Sequence, residues 1–482
     1  MEEGRLRWCF GLAVKVALGL LVVVSGLWWY ADHRGRTRLG AALERIRAAG
    51  DPVLPEDFDL PESVGPDLLA WLEQLNDDEI EGSFLELDLI EDEYWAEAVQ
   101  AARAGLYTDD AAAAVEDFER CRGAIADRRA FVDELIDGLD EPAQVAALSD
   151  CERAALRTYV LGDGHALLRA HEALEYGEID ARRVLRTWLA AAESEPFYPQ
   201  VHLPELLMVS RSLCGAALLA AVDGRPEEAL HALLASSRYA EQTSGLPWLI
   251  AHLAWILVQS QHLSALETTL PLLPPGMDLS AVEAALARVD SPRDLAAAIR
   301  GERAFGNRIY AEFRGEVIGG TDLDPYGGAV GWLLRQWIRY DQLRFLGEME
   351  TALDLLERPY RGVDEAIARG WDEARPWEIV ASIITPDYPR AIQADFGLRA
   401  RLALARVALG AYRDGIEAGV ALAASTTDPF SGEPLRARID RDGTLVLWSV
   451  GSDLADDDAP PWDPGRKAEE PDSVWRFRPA PR

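Results

Sequence analysis

Two residue types are almost missing from this chain. Lysine occurs only at Lys15 and Lys467, and asparagine only at Asn76 and Asn307. Positive charge therefore rests on arginine. Usage this one-sided reflects codon bias in a GC-rich genome rather than selection for phosphate binding. Basic charge is scarce altogether: 48 Lys and Arg stand against 82 Asp and Glu, a formal balance of −34. A nucleic-acid binder needs a basic footprint, so nucleic acid is excluded as a partner.

Four cysteines in 482 residues exclude a disulfide-dense scaffold. Cys121, Cys151 and Cys214 have no CxxC spacing, so zinc and thioredoxin-like chemistry lack support. In an exported body these three would permit one disulfide and leave one thiol over. The seven histidines do not cluster either, and no HExxH occurs. His165 and His171 point to different helix faces, and His202, His252 and His262 read as satisfied core or boundary residues. A Walker loop, a GxGxxG and a GxSxG elbow are all absent, so no nucleotide site or serine hydrolase is legible.

What the chain does have is one long greasy segment. Residues 8–30 are apolar apart from Lys15 and Ser25. As a helix they extend roughly 34 Å, enough to cross a bilayer core. The eleven Leu, Val and Phe residues supply roughly −3 to −7 kcal/mol of insertion energy, against about +3 for a central lysine. Lys15 lies near one end and can snorkel, so its cost is smaller. Trp28, Trp29 and Tyr30 make an aromatic belt at the far end, followed by Arg34, Arg36 and Arg38. The competing reading is a signal peptide cleaved near Val24-Ser25-Gly26. The bulky aromatics just beyond, and the length of the run, favour a retained anchor.

Beyond it the pattern is helical. Leu39, Leu43 and Ile46 lie three and four apart, and Gly50-Asp51-Pro52 ends that helix. Residues 48–102 contain no Lys or Arg but hold 17 carboxylates, with Trp71, Leu75, Phe84, Ile90 and Trp95 interleaved. That mixture predicts folded helices with an acidic outside. Asp109 and Asp110 can cap a helix over 111–139. Residues 204–245 read as a tetratricopeptide-like hairpin: a small-residue helix, a turn at Asp223-Gly224-Arg225-Pro226, then Glu227 and Glu228 opening a second helix. No second copy follows at the expected spacing, so a helical bundle or irregular α-superhelix is expected rather than a solenoid. Residues 247–270 predict a buried helix, interrupted by His252 and Gln259. Further helices are expected over 291–313, 331–356 and 391–424.

From Thr427 the chemistry changes. Residues 434–439 and 445–450 read as strands joined by a turn at Asp442-Gly443, with a final strand expected over 474–477. The fold class is thus mainly α, with an N-terminal transmembrane helix and a small C-terminal β-hairpin module. The expected division is an anchor at 8–30, a membrane-proximal helix and acidic connector at 31–65, a helical domain at 66–424, and the β module at 425–482.

The stretch "DPFSGEPLRARIDRDGTLVLWSVGSD", residues 428–453, resembles the C-terminal module of type II secretion major pseudopilins. There a "DP.G.P" turn and a "YS.G.D" strand end lead into a calcium-binding loop. A group of bacterial single-pass membrane-anchored helical proteins shares this ending. Its resemblance extends to "RAAGDPV" at 47–53 and "GERAFG" at 301–306. The resemblance implies a short cytoplasmic N-terminus and an exported bulk; flanking charges alone leave orientation close to a tie. It also implies calcium in the loop of Asp453, Asp456, Asp457 and Asp458, with Asp472 as a further ligand. Carboxylates in a short loop suit that cation. Only Asp453 maps directly onto the motif, and the glycines of the pseudopilin loop are replaced here by Leu454, Ala455 and their neighbours.

Three functions stay open. The first is a membrane-anchored interaction or envelope-organising protein, holding lipid through its first helix and a protein partner along its helical body, without catalysis. The second is a carboxylate hydrolase, in which Glu302 and the acids of 86–97 converge in a cleft. Two carboxylates about 5–10 Å apart would mark it. Glu302 has no His or second carboxylate at helical spacing, and an ion pair with Arg is its structural alternative. The third is a secretion or pilus accessory.

Overall fold

The structure, a computed structural model, describes residues 2–58, 121, 149–151, 153, 203–242, 248–289, 291–314, 329–368, 379–385, 387–459 and 473–478. The acidic stretch after Asp59, the capped helix expected over 111–139, and His165, His171 and His202 lie outside the described residues. The chain is mainly helical with one small antiparallel sheet. It divides into two compact units that interleave along the sequence and so cut across the 66–424 span.

The first unit comprises Met1–Asp59, Ile299–Leu355 and Arg369–Tyr388. Its first element, α1, is one unbroken helix over Glu2–Ala48. The apolar run and the membrane-proximal helix are therefore a single element. Leu39, Ala42 and Ile46 form its buried stripe at three- and four-residue spacing. The helix stops because Gly50 adopts φ +79°, which lets Gly50 N–H donate to Arg47 O at 3.0 Å and Asp51 N–H to Ile46 O at 3.1 Å. That pair of bonds satisfies carbonyls the helix end would otherwise leave bare.

Two long helices pack with α1 in this unit: α6 (Ser291–Phe313), from Ile299 on, and α7 (Ala329–Leu356), up to Leu355. α7 runs parallel to α1. The Tyr340 hydroxyl donates to Ala31 O at 2.9 Å, Arg339 pairs with Asp32, and Arg45 approaches Glu350 at 4.0 Å. α6 runs antiparallel to α7, with Gly306 against Phe345 and Tyr310 bonded to Asp341. The short helix α9 (Ile379–Ile384) brings the Ala381 amide to Asp341.

The second unit holds the other helices and the sheet. α2 (Leu203–Val222) and α3 (Pro226–Gln242) form the expected hairpin. Its turn has the same chemistry as the end of α1: Gly224 at φ +74° and an Arg225 N–H bond to Ala220 O at 2.8 Å. α4 (Leu249–Thr269) is long and apolar enough to cross a membrane, but its Trp255, Leu263 and Leu266 sit in the core of this unit. α5 (Ser280–Arg288), α8 (Tyr360–Ala368) and α10 (Tyr388–Asp414), from Pro389 on, pack here too.

The final helical stretch, expected to be continuous over 391–424, is broken. Gly415 adopts φ +98° between α10 and α11 (Ile416–Ala423). Few residues other than glycine tolerate that conformation. The turn lays α11 back until the Gly419 position lies beside Ala411 and Leu445, leaving no room for a Cβ there.

The sheet is a three-stranded antiparallel meander, ordered β1 (Arg436–Ile439), β2 (Leu445–Ser449), β3 (Ser473–Phe477). Ile439 pairs with Leu445, and Leu445 with Phe477. The hairpin turns at Gly443, φ +87°. Alternation along the strands makes two faces. Leu445, Leu447, Trp475 and Phe477 join the helical core. Val446 and Trp448 turn the other way, against Ala459 of the acidic loop.

Candidate functional site

The structure assembles two sites from segments the sequence singled out. In the first unit, "RAAGDPV" meets "GERAFG". Glu302 and Arg303 are buried on α6. Arg303 does not pair with its neighbour in sequence but with Asp51, at 2.7 Å, while Arg300 reaches the other oxygen of Asp51 at 3.2 Å. Gly306 is required by contact: a Cβ there would fall 2.2 Å from the Phe345 ring. Phe305 stacks near Phe58 in the strap that follows α1.

One turn further along α6, Asn307 joins a buried polar chain. Its amide donates to Val53 O at 3.0 Å and its carbonyl accepts from Gln342 at 2.8 Å. The Gln342 carbonyl in turn accepts from Arg314. Beside this chain, the Tyr310 hydroxyl donates to Asp341 at 2.7 Å, and the Ala381 amide to the same oxygen at 2.9 Å. Burial, and then the Asp341 hydrogen bond, push the Tyr310 hydroxyl above its ordinary range. These bonds join donors on one segment to acceptors on another, which ties the strap to α6, α7 and α9. The roles of Asn307, Asp341 and Gln342 carried no sequence signal, since their partners are distant in the chain. The acids of 86–97, the other half of the hydrolase expectation, lie outside the described residues.

The second site lies in the C-terminal β module, residues 428–459. Asp428 of the "DPFSG" turn is a buried carboxylate. It accepts from the Phe430 amide at 3.0 Å, the Ser431 hydroxyl at 3.0 Å, the Ser449 hydroxyl at 2.7 Å and the Val450 amide at 3.2 Å. The turn over 428–432 and the end of β2 are thus tied through one side chain. Phe430 completes an aromatic cluster with Tyr360, centroids 4.6 Å apart, and Phe396. Burial, and then the Asp364 charge, push the Tyr360 hydroxyl up to about 12.

Three of the four aspartates expected to bind calcium meet separate partners. Asp453 accepts from the Ala455 amide at 3.0 Å. Asp456 accepts from Trp448 Nε1 at 3.0 Å and from Arg436 at 3.3 Å. The Trp448 bond leads the contacts that hold its carboxyl below the usual range. Asp458 faces Arg438 at 3.2 Å. Asp457 is exposed, and Asp472 lies outside the described residues. Among the described residues, no group of three or more His, Cys, Asp or Glu is placed to hold a metal. Leu454, Asp458 and Ala459 adopt φ of 58°, 59° and 43°, the left-handed conformation that glycine takes without strain. All three positions follow Asp453 in the loop.

The remaining candidates separate. Cys121 and Cys151 form a disulfide, and Cys214 is a free thiol beside Ser236, its titration pushed up to about 11 by burial. His252 lies 3.6 Å from Asp395, which Arg399 also holds. His262 is buried as expected but not satisfied: neither ring nitrogen finds a hydrogen-bond partner. No family model, curated protein or solved structure matches the chain.

Proposed function

We propose that this chain is a single-pass, membrane-anchored helical protein that organises partners at the envelope surface, with its body on the exported side. The observation that carries the reading is the continuity of α1. The greasy run at 8–30 passes without a break into a helix that buries one stripe, Asp32, Leu39, Ala42 and Ile46, in its own unit. An anchor built this way holds the first unit stiffly at the bilayer, where a flexible stalk would leave it free. Stiff presentation suits a binding role, because fewer orientations are lost when a partner docks.

The Cys121–Cys151 bond supports the exported orientation, since such bonds persist in oxidising compartments and are rare in the cytosol. The pseudopilin-like ending agrees with that side. Paired reporter fusions, before Met1 and after Arg482, test the whole. The expected result is a membrane-bound chain with an exported C-terminal reporter and a cytoplasmic N-terminal one. Recovery of the intact chain in the soluble fraction would remove the anchor. A cytoplasmic C-terminal reporter would reverse the orientation.

A further inference from the structure

The parallel pairing of α1 and α7 sets a register. Arg339 meets Asp32, Tyr340 meets Ala31 and Gly35, and Glu350 meets Arg45. The two helices are therefore aligned with a nearly constant offset. α7 begins at Ala329, eleven residues before Tyr340. At 1.5 Å per residue its start lies roughly 16 Å beyond Tyr340 along the axis. That is the level of Val23 on α1, inside the apolar run.

Exposure agrees with this placement. The exposed large hydrophobics described in the first unit are Val23, Trp29, Tyr30, Phe313 and Tyr340. Trp29 and Tyr30 end the apolar run of α1, and Tyr340 touches the next turn. Phe313 ends α6, which reaches the Tyr340 level because it runs antiparallel to α7. All five lie at the one end of the unit from which α1 extends. The sequence of α7 from that end reads AVGWLLRQWIRY. It is apolar first, with Trp and Arg following at the level of Trp29 to Asp32, the order of side chains found across a membrane interface.

We propose that the first two turns of α7, residues 329–336, are a second membrane-contacting element. They enter the bilayer interface alongside the anchor, so that the first unit is seated in the lipid at two points rather than hung from one. The proposal rests on the anchor reading above, and its partner is the lipid bilayer itself. Two-point seating fixes rotation about the axis of α1, which a lone helix cannot do.

The test uses the full chain in phosphatidylethanolamine–phosphatidylglycerol vesicles with an apolar carbene photolabel dissolved in the lipid, followed by trypsin and fragment mapping. Residues 16–34 report the anchor, residues 329–335 within the tryptic peptide 315–335 report α7, and peptide 414–436, containing the exposed Leu422, is the aqueous reference. The expected result is labelling of 329–335 about tenfold above the reference, alongside strong labelling of 16–34. If 16–34 is labelled and 329–335 stays at the reference level, the second contact is overturned and the anchor stands. If neither rises above the reference, the anchor falls and the second contact with it.

Discussion

Arg303 lies 2.7 Å from Asp51, and through that pair the end of α1 is fixed to the middle of α6. The guanidinium is buried while the carboxylate is partly exposed and shared with Arg300. Removing one partner of such a pair costs more than the pair itself contributes, because the other charge stays buried. Asp51→Ala, which strands Arg303, is expected to destabilise the first unit by about 3 kcal/mol. Arg303→Met leaves Asp51 with Arg300 and water, and should cost clearly less. Denaturant melts of the two variants check the order; equal losses would contradict it.

Gly306 and Phe345 make a second point of contact between α6 and α7. Gly306→Ala drives a methyl into the ring and should cost about 1–3 kcal/mol by overpacking. In a Phe345→Leu background the same substitution should cost much less. A double-mutant cycle on thermal melting measures the difference, and strict additivity would mean the helices shift apart freely.

Asp428 answers four donors at once. Asp428→Asn keeps the shape but replaces one accepting oxygen with an amide that donates. It should weaken the C-terminal module by about 2–3 kcal/mol, the scale of a lost charge-assisted network bond. Hydrogen exchange at the β2 amides is the readout, and protection should fall there before it falls in α10.

His262 gives the protein an acid-sensitive stability. Burial lowers its titration to about 4 in the folded state, from 6.5 when exposed. Between those values the unfolded chain binds a proton that the folded chain refuses. The contribution is therefore complete above pH 6.5 and is lost as pH falls to about 4, reaching roughly 3 kcal/mol. His262→Leu should flatten that part of the curve and melt higher than the natural chain at pH 5. An unchanged slope would place the acid sensitivity elsewhere.

Much of the local structure was legible because it depends on neighbours in sequence. Gly50 and Gly224 end helices by backbone geometry, Glu227 and Glu228 favour a helix start, and Asp442-Gly443 turns a hairpin. Gly415 was missed because its surroundings are helical in pattern, and only the positive φ, needed to pack α11 against the sheet, reveals its use. The partners of the loop aspartates and the surroundings of His262 could not be read from sequence. A carboxylate is a ligand or an ion-pair partner according to what faces it, and Arg436 and Arg438 of β1 face Asp456 and Asp458 of the loop.

By itself the sequence determined the helical class, the small β ending and the greasy first segment, since periodicity, turn chemistry and transfer energy act over a few residues. Tertiary structure decided which distant segments meet: Asp51 with Arg303, Asp428 with Ser449, Cys121 with Cys151, α7 beside α1. Those pairings depend on how whole helices pack, and packing is a property of surfaces that no short stretch of chain contains.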